Sequence, residues 1–217
     1  MCEKTRDKVK KVALSLFAKN GYDVTSMEQI ATGVGIKKSS LYAFITSKEA
    51  LFWEIYEDCE SQYNDYVEQL LKESESMLPP ERLYYLFKHY LIYPKHLSLE
   101  EAMIVRTFWI RIMFFPSHIV KDRLLARALK SEKRLGEKYR EIIQDGMRQG
   151  LIREAPLEDM VLSYYILRQG LYALMIVFMS DLQEDQKLDH IERSWRNFWL
   201  GIKGDETAVV FEGFRLI

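Results

Sequence analysis

The stretch GYDVTSMEQIATGVGIKKSSLYAFITSKEALF, residues 21–52, decides how the whole chain is read. Thr25 and Ser26 are both N-cap residues. Each has a Glu or Gln three positions on, at Glu28 and Gln29, so a capping box starts a helix in either register. Ile30 and Ala31 carry that helix to a stop at Gly33 or Gly35, and Gly35 suits a turn needing positive φ. A short helix over about 37–44 follows at once, and TSKEAL caps another at Thr46 or Ser47, with Glu49 in its first turn. Ile30, Ala31, Val34, Ile36, Leu41 and Phe44 can close a small core between the two short helices, Ala31 being small enough for a close crossing. Lys37, Lys38, Ser39, Ser40, Tyr42 and Ala43 are left with nothing to bury. Lysine charge, hydroxyls and a small side chain are the types that meet phosphate oxygens and base edges. Two short helices on a glycine-bearing turn have the shape of a helix-turn-helix, whose second helix lies in the DNA major groove.

Outward from this stretch the pattern stays helical. Upstream, Val9, Val12, Ala13, Leu16 and Phe17 form one stripe that ends at Asn20 and Gly21. Downstream, a stripe from Leu51 to Leu70 runs on to the linker SESMLPPE, and further helices are expected at roughly 80–96, 99–115, 117–149, 156–180 and 185–203. The expected fold class is all-α. With 48% apolar and 13% aromatic residues in 217, a sizeable core is assured. The overall charge of −1 hides a division: the first fifty residues hold nine basic and five acidic side chains, a net of +4, and the remainder carries −5. A small basic module at the front of an acidic body fits a polyanionic partner for the front alone.

The same stretch resembles the tetracycline-repressor-like (TetR) family of transcriptional regulators over about residues 8–55, where Gly35, the Leu41–Tyr42 pair and SKEAL at 47–51 fall in place together. The resemblance implies that Tyr42 and Lys48 contact phosphates. It also implies that Thr25 or Ser26 offers a hydroxyl at the helix start facing a phosphate, and that Lys38, Ser39, Ser40 and Ala43 approach bases. Lys37 stands where the family has a small polar residue and Ile45 where it has an aromatic, so no base preference is carried over. For the rest of the chain the resemblance implies a helical ligand-binding and dimerisation domain whose last two helices pair between subunits. Gly170 and Ala173 with Ile166 and Val177 mark one face for that seam, and Ile191, Trp195, Phe198 and Ile202 another; ordinary core is the competing reading of both.

Aromatic and methionine side chains in the body suggest a pocket for an apolar or amphipathic effector, drawn from Tyr85, His89, Tyr93, Met103, Phe108, Met113, Phe114 and Tyr165. Arg106, Arg168 and Gln169 interrupt apolar runs and could anchor a polar headgroup there, or form internal ion pairs. Cys2 and Cys59 make no disulfide framework, the charged start is unlike a signal peptide, and the apolar run 171–179 is about half a bilayer span, so a cytoplasmic protein without a membrane segment is expected. His89, His96, His118 and His190 lack metal-ligand spacing, and no phosphate-cradling glycine loop occurs, so neither a metal, a cofactor nor an enzyme is expected.

The resulting expectation is a homodimeric repressor that binds a pseudo-palindromic operator in double-stranded DNA and is released by an effector. Residues 1–46 form its DNA-binding domain, 47–203 its ligand-binding and dimerisation domain, and 204–217 a tail. A helical small-molecule-binding protein without specific DNA binding is the alternative, and an α-helical enzyme a remoter one.

Overall fold

The computed structural model describes residues 2–94 and 97–204, without the side chains of residues 2–4 and 132; His96 and, but for Gly204, the expected tail 204–217 lie outside the described residues. Among these, the chain forms α1 (Cys2–Asn20), α2 (Met27–Val34), α3 (Lys38–Leu41), α4 (Lys48–Glu73), α5 (Pro79–Ile92), α6 (Leu99–Phe114), α7 (Lys121–Arg148), α8 (Leu157–Val177) and α9 (Glu184–Ile202). No strand occurs among the described residues, only an isolated bridge between Ile152 and Lys203.

Two compact units emerge, and neither matches the division expected from sequence. Among the described residues, the first comprises those up to 66 and those from 94 to 126, the second residues 67–93 and 127–204. Thus α6 belongs with the N-terminal helices. It packs along α1. Arg111 of α6 donates from Nε to Ala18 O at 2.8 Å and from Nη2 to Lys19 O at 3.0 Å, satisfying two carbonyls left over at the end of α1. Ser117 Oγ donates to Asp23 Oδ1 at 2.6 Å, and Lys11 pairs with Glu101 at 3.2 Å. Phe17, Tyr22, Phe52 and Phe108 fill the centre of this unit, their ring centroids 5.2–5.8 Å apart where they meet. Burying each such ring contributes about 1.5–3 kcal/mol. Ile45, the departure from the family aromatic, is one of the buried residues of this core.

The second unit packs α5, α8 and α9 on one another. Trp195 and Trp199 are fully buried, and Trp195 meets Tyr84, Phe87, Tyr164 and Phe198 at 5.4–6.4 Å. Here the sequence expectation for α9 needs correction. Ile191, Trp195 and Ile202 are buried within the chain, and Phe198 packs on Tyr164 and Trp195, so the heptad-like stripe is intramolecular core and is not available as a subunit seam. The membrane expectation also rested on too short a run: taken whole, α8 is long and apolar enough to cross a bilayer. Seven of its residues, Arg168 among them, are nevertheless buried in this unit, as in a core helix.

Candidate nucleic-acid interface

The register of α2 is set by Ser26. Its hydroxyl accepts from Gln29 N at 3.1 Å while Gln29 Oε1 accepts from Ser26 N at 2.7 Å, a complete capping box. The helix stops at Gly35, in the left-handed conformation at φ 81°. There Gly35 N donates to Thr32 O at 3.1 Å and Ile36 N to Ala31 O at 3.0 Å, the paired bonds of a Schellman cap. Gly33 has a different use: a Cβ there would stand 2.7 Å from Val12 Cγ1, so it is glycine at this position that lets α2 approach α1. Ile30, Ala31, Val34 and Leu41 are buried beneath, and Ile36 and Phe44 pack against them.

With that core closed, Lys37, Lys38, Ser39, Ser40, Tyr42 and Ala43 all stand exposed on and around α3. Tyr42 is 51% exposed, and Lys38 pairs with Glu28 at 3.9 Å, both side chains being exposed. Such a pair is weak and easily exchanged for a phosphate. Ser26 at the α2 N-terminus lies on the exposed side too. The set is what an approaching duplex would need: charge for the backbone, hydroxyls, and a low profile at Ala43.

Thr25 and Lys48 are placed otherwise. Thr25 is buried, its hydroxyl donating to Gly21 O at 2.7 Å, so between the two expected caps Ser26 is the one whose hydroxyl an outside phosphate can reach. Lys48 Nζ points back into the unit, onto the carbonyls of Tyr22 and Thr25 at 2.9 Å each. Backbone carbonyl partners have no signature in sequence, which is why neither placement could be anticipated.

The residues expected around an effector divide between the units. Met103, Arg106, Phe108, Met113 and Phe114 belong to the first, where Phe108 is core and Met113 and Phe114 are exposed. Tyr85, His89, Tyr93, Tyr165, Arg168 and Gln169 belong to the second. There Tyr85 and His89 lie with ring centres 4.2 Å apart, and Tyr85 donates to Glu73 Oε2 at 2.6 Å. The Arg168 guanidinium is buried over the rings of Tyr90, Tyr165 and Tyr139, at 4.4, 4.6 and 5.3 Å, and donates to Tyr139 Oη at 2.8 Å. Tyr90 in turn donates to Gln169 Oε1. Tyr90 and Tyr139 were missed by sequence reasoning, since nothing local ties residues so far apart to Arg168. Burial pushes the neighbouring Tyr84 hydroxyl up to about 12, with Glu192 adding to the effect.

On α8 the side away from this core is apolar and bare. Leu162, Ile166, Leu174, Val177 and Phe178 are exposed together, and nothing stands within 4 Å of where a Gly170 Cβ would be.

Comparison with known proteins centres on the first unit. Residues 11–55 match the model of the bacterial regulatory proteins, tetR family. The biofilm operon icaADBC HTH-type negative transcriptional regulator IcaR of Staphylococcus epidermidis is 34% identical over 84 residues, 38% of this chain and 44% of that protein. The chain therefore aligns with less than half the length of the curated relatives it matches. In fold it is similar to the ketosteroid transcriptional regulator KstR2 of Mycobacterium tuberculosis, at a TM-score of 0.65 and 18% identity over 92% of this chain and 95% of that one. It is also similar to AibR in complex with isovaleryl coenzyme A and operator DNA, at 0.60 and 22% over 86% and 95%. These likenesses extend the all-helical fold beyond the matched N-terminal residues.

Proposed function

Because this chain carries the N-terminal domain of the bacterial regulatory proteins of the tetR family, we propose that it is a ligand-responsive, DNA-binding transcriptional repressor. The observation that carries the reading is the exposed set Lys37, Lys38, Ser39, Ser40, Tyr42 and Ala43, raised on a helix whose apolar side chains are fully used beneath it. The duplex is met by these residues and by Ser26 at the start of α2, where backbone N–H groups add to the attraction for a phosphate.

The working form is a homodimer in the cytoplasm, joined through the bare side of α8 at Ile166, Gly170, Ala173 and Val177, with Leu162, Leu174 and Phe178 extending the patch. Apolar patches of this kind are seldom left open to water, and a two-fold pair would present its two recognition helices to successive major-groove faces of a pseudo-palindromic operator. The effector is a small amphipathic molecule received in the second unit. Tyr85, His89, Tyr93 and Tyr165 supply aromatic walls, and Arg168 and Gln169 a polar end. That AibR, alike in fold, was crystallised with both an acyl coenzyme A and operator DNA supports a coupled system of this type.

A gel shift of the full chain against fragments of its own genome tests the reading. Retention of one or a few fragments at salt concentrations that release the rest is expected, because specific contacts outlast the phosphate term. Uniform, weak retention of every fragment would favour a ligand-binding protein without specific DNA recognition.

A further inference from the structure

We propose that Lys48 is a positioning residue, which ties the α1–α2 connection to the first turn of α4 and thereby fixes how α2 and α3 are presented to DNA. The inference rests on the DNA-binding reading above but assigns Lys48 a place behind the interface in preference to one on it.

The geometry is that of a cation in a carbonyl nest. Lys48 Nζ lies 2.9 Å from Tyr22 O, 2.9 Å from Thr25 O and 3.4 Å from Asp23 O. It also sits 4.3 Å from the centre of the Tyr22 ring, a cation–π contact beneath a group already hydrogen-bonded on its other sides. An ammonium has three donors, and these three acceptors engage all of them, so the group as found has none to offer a phosphate. The acceptors belong to the connection between Asn20 and Met27, which lacks the repeating bonds of a helix to satisfy its carbonyls.

Position along α4 points the same way. Lys48 is the first residue of that helix, where the dipole disfavours positive charge, and a cluster of carbonyl oxygens offsets that cost. At the other end of α2, Lys8 of α1 donates to Val34 O at 2.8 Å. The eight-residue helix thus has a lysine at each end, Lys8 of α1 on its last carbonyl and Lys48 of α4 on the connection that leads into it.

Two substitutions separate this role from a phosphate contact and from mere stability. Lys48→Met keeps the apolar stem and removes the donors. Lys48→Arg keeps the charge, but its planar fork cannot serve three carbonyls converging on one point. For both variants the measurements are the melting temperature of the full chain, hydrogen exchange of amides 22–29, and affinity for a mixed-sequence duplex of about 30 base pairs across a salt series, at a temperature where all proteins are folded. We expect Lys48→Met to melt roughly 5 °C lower. Its amides 22–29 should exchange faster, and it should bind the duplex roughly 10-fold more weakly with the same slope of log affinity against log salt. Lys48→Arg should fail to restore the exchange protection.

A slope smaller by about 0.9 with unchanged melting, and full recovery in Lys48→Arg, would mean that Lys48 touches phosphate and would overturn the proposal. So would a lower melting temperature with unchanged affinity, which would make the clamp structural only. Should the wild type bind no duplex at all, the repressor reading falls, and the exchange measurement then decides the clamp by itself.

Discussion

Outward from α3 stand two lysines, two serines, a tyrosine and an alanine; outward from α8 stand Leu162, Ile166, Gly170, Leu174 and Val177. Both sets are left over after the core of their unit is closed, and neither is explained by the stability of the chain that bears it. They differ in what water does to them. A lysine is content in water and gains at a duplex by neutralising phosphate charge and releasing counterions, whereas a contiguous apolar strip gains by leaving water for another apolar strip. The same condition, exposure without internal use, therefore points to a polyanion in one unit and to a second apolar surface in the other.

The largest expected effect breaks the α8 half of this comparison. Across a two-fold interface Ile166→Asp would face its own copy, and burying two like charges there should raise the dimer dissociation constant by roughly 100-fold or more. Gly170→Leu makes the test cleaner. Its Cβ meets nothing within 4 Å in the single chain, so the fold should tolerate it while the close approach of a second helix should not. Sedimentation equilibrium of both variants decides. A wild type that is monomeric at micromolar concentration would remove the reason for the bare face.

Next in size is the α3 half. Lys38→Ala should weaken duplex binding roughly 10-fold at low salt and lower the salt slope by about 0.9, whereas Ser40→Ala should change the ranking among operators more than the slope. Fluorescence anisotropy across a salt series measures both. If Lys38→Ala leaves the slope alone, the exposed lysines are ordinary solvated surface and the contrast with α8 loses its meaning.

How much of this was legible in the sequence depends on the range of the interaction. A capping box at Thr25 or Ser26, a stop at Gly33 or Gly35 and the leftover polar set around α3 are contained within about twenty residues and are readable there, while the choice of Ser26 and Gly35 within each pair comes from the structure. Periodicity found the apolar stripes of α8 and α9 equally well, but a stripe says only that a face is apolar and not what covers it. Ile191, Trp195 and Ile202 turned out to be covered by their own chain, and Ile166 and Val177 not. The pairing of α6 with α1 through Arg111, and the seat of Lys48 among carbonyls, join positions far apart by backbone acceptors that every residue possesses. No local pattern announces such contacts.

Gly35→Ala is a smaller perturbation confined to the α3 side. Nothing lies within 4 Å of the added methyl, so the whole cost is the left-handed backbone at φ 81°, about 1 kcal/mol, or a fall of some 2–4 °C in melting temperature. Because this cap sets the turn into α3, duplex affinity should fall with it, while α8-mediated assembly should not move. A change in sedimentation would show that the two faces are not independent.

The smallest effect concerns charge on the α8 side. Glu158, in the first turn of α8, accepts two bonds of 2.7 Å from Arg140, and those bonds hold its carboxyl below the usual glutamate range. A carboxyl whose pKa is depressed on folding stabilises the fold above its unfolded value of 4.5, and that contribution is lost as pH falls through the lower folded value. Both partners are open to solvent, with side chains 38% and 68% exposed, so salt screens the pair and side-chain ordering offsets most of what remains. Glu158→Gln should consequently shift the urea midpoint only slightly at pH 7 and low salt, less at high salt, and not at all once the pH has fallen well below the lowered folded value of Glu158. A large shift at pH 7 that persisted in high salt would mean that this end of α8 is buried against something in solution. The apolar face of α8 would then extend beneath a charged rim, instead of ending where the leucines end.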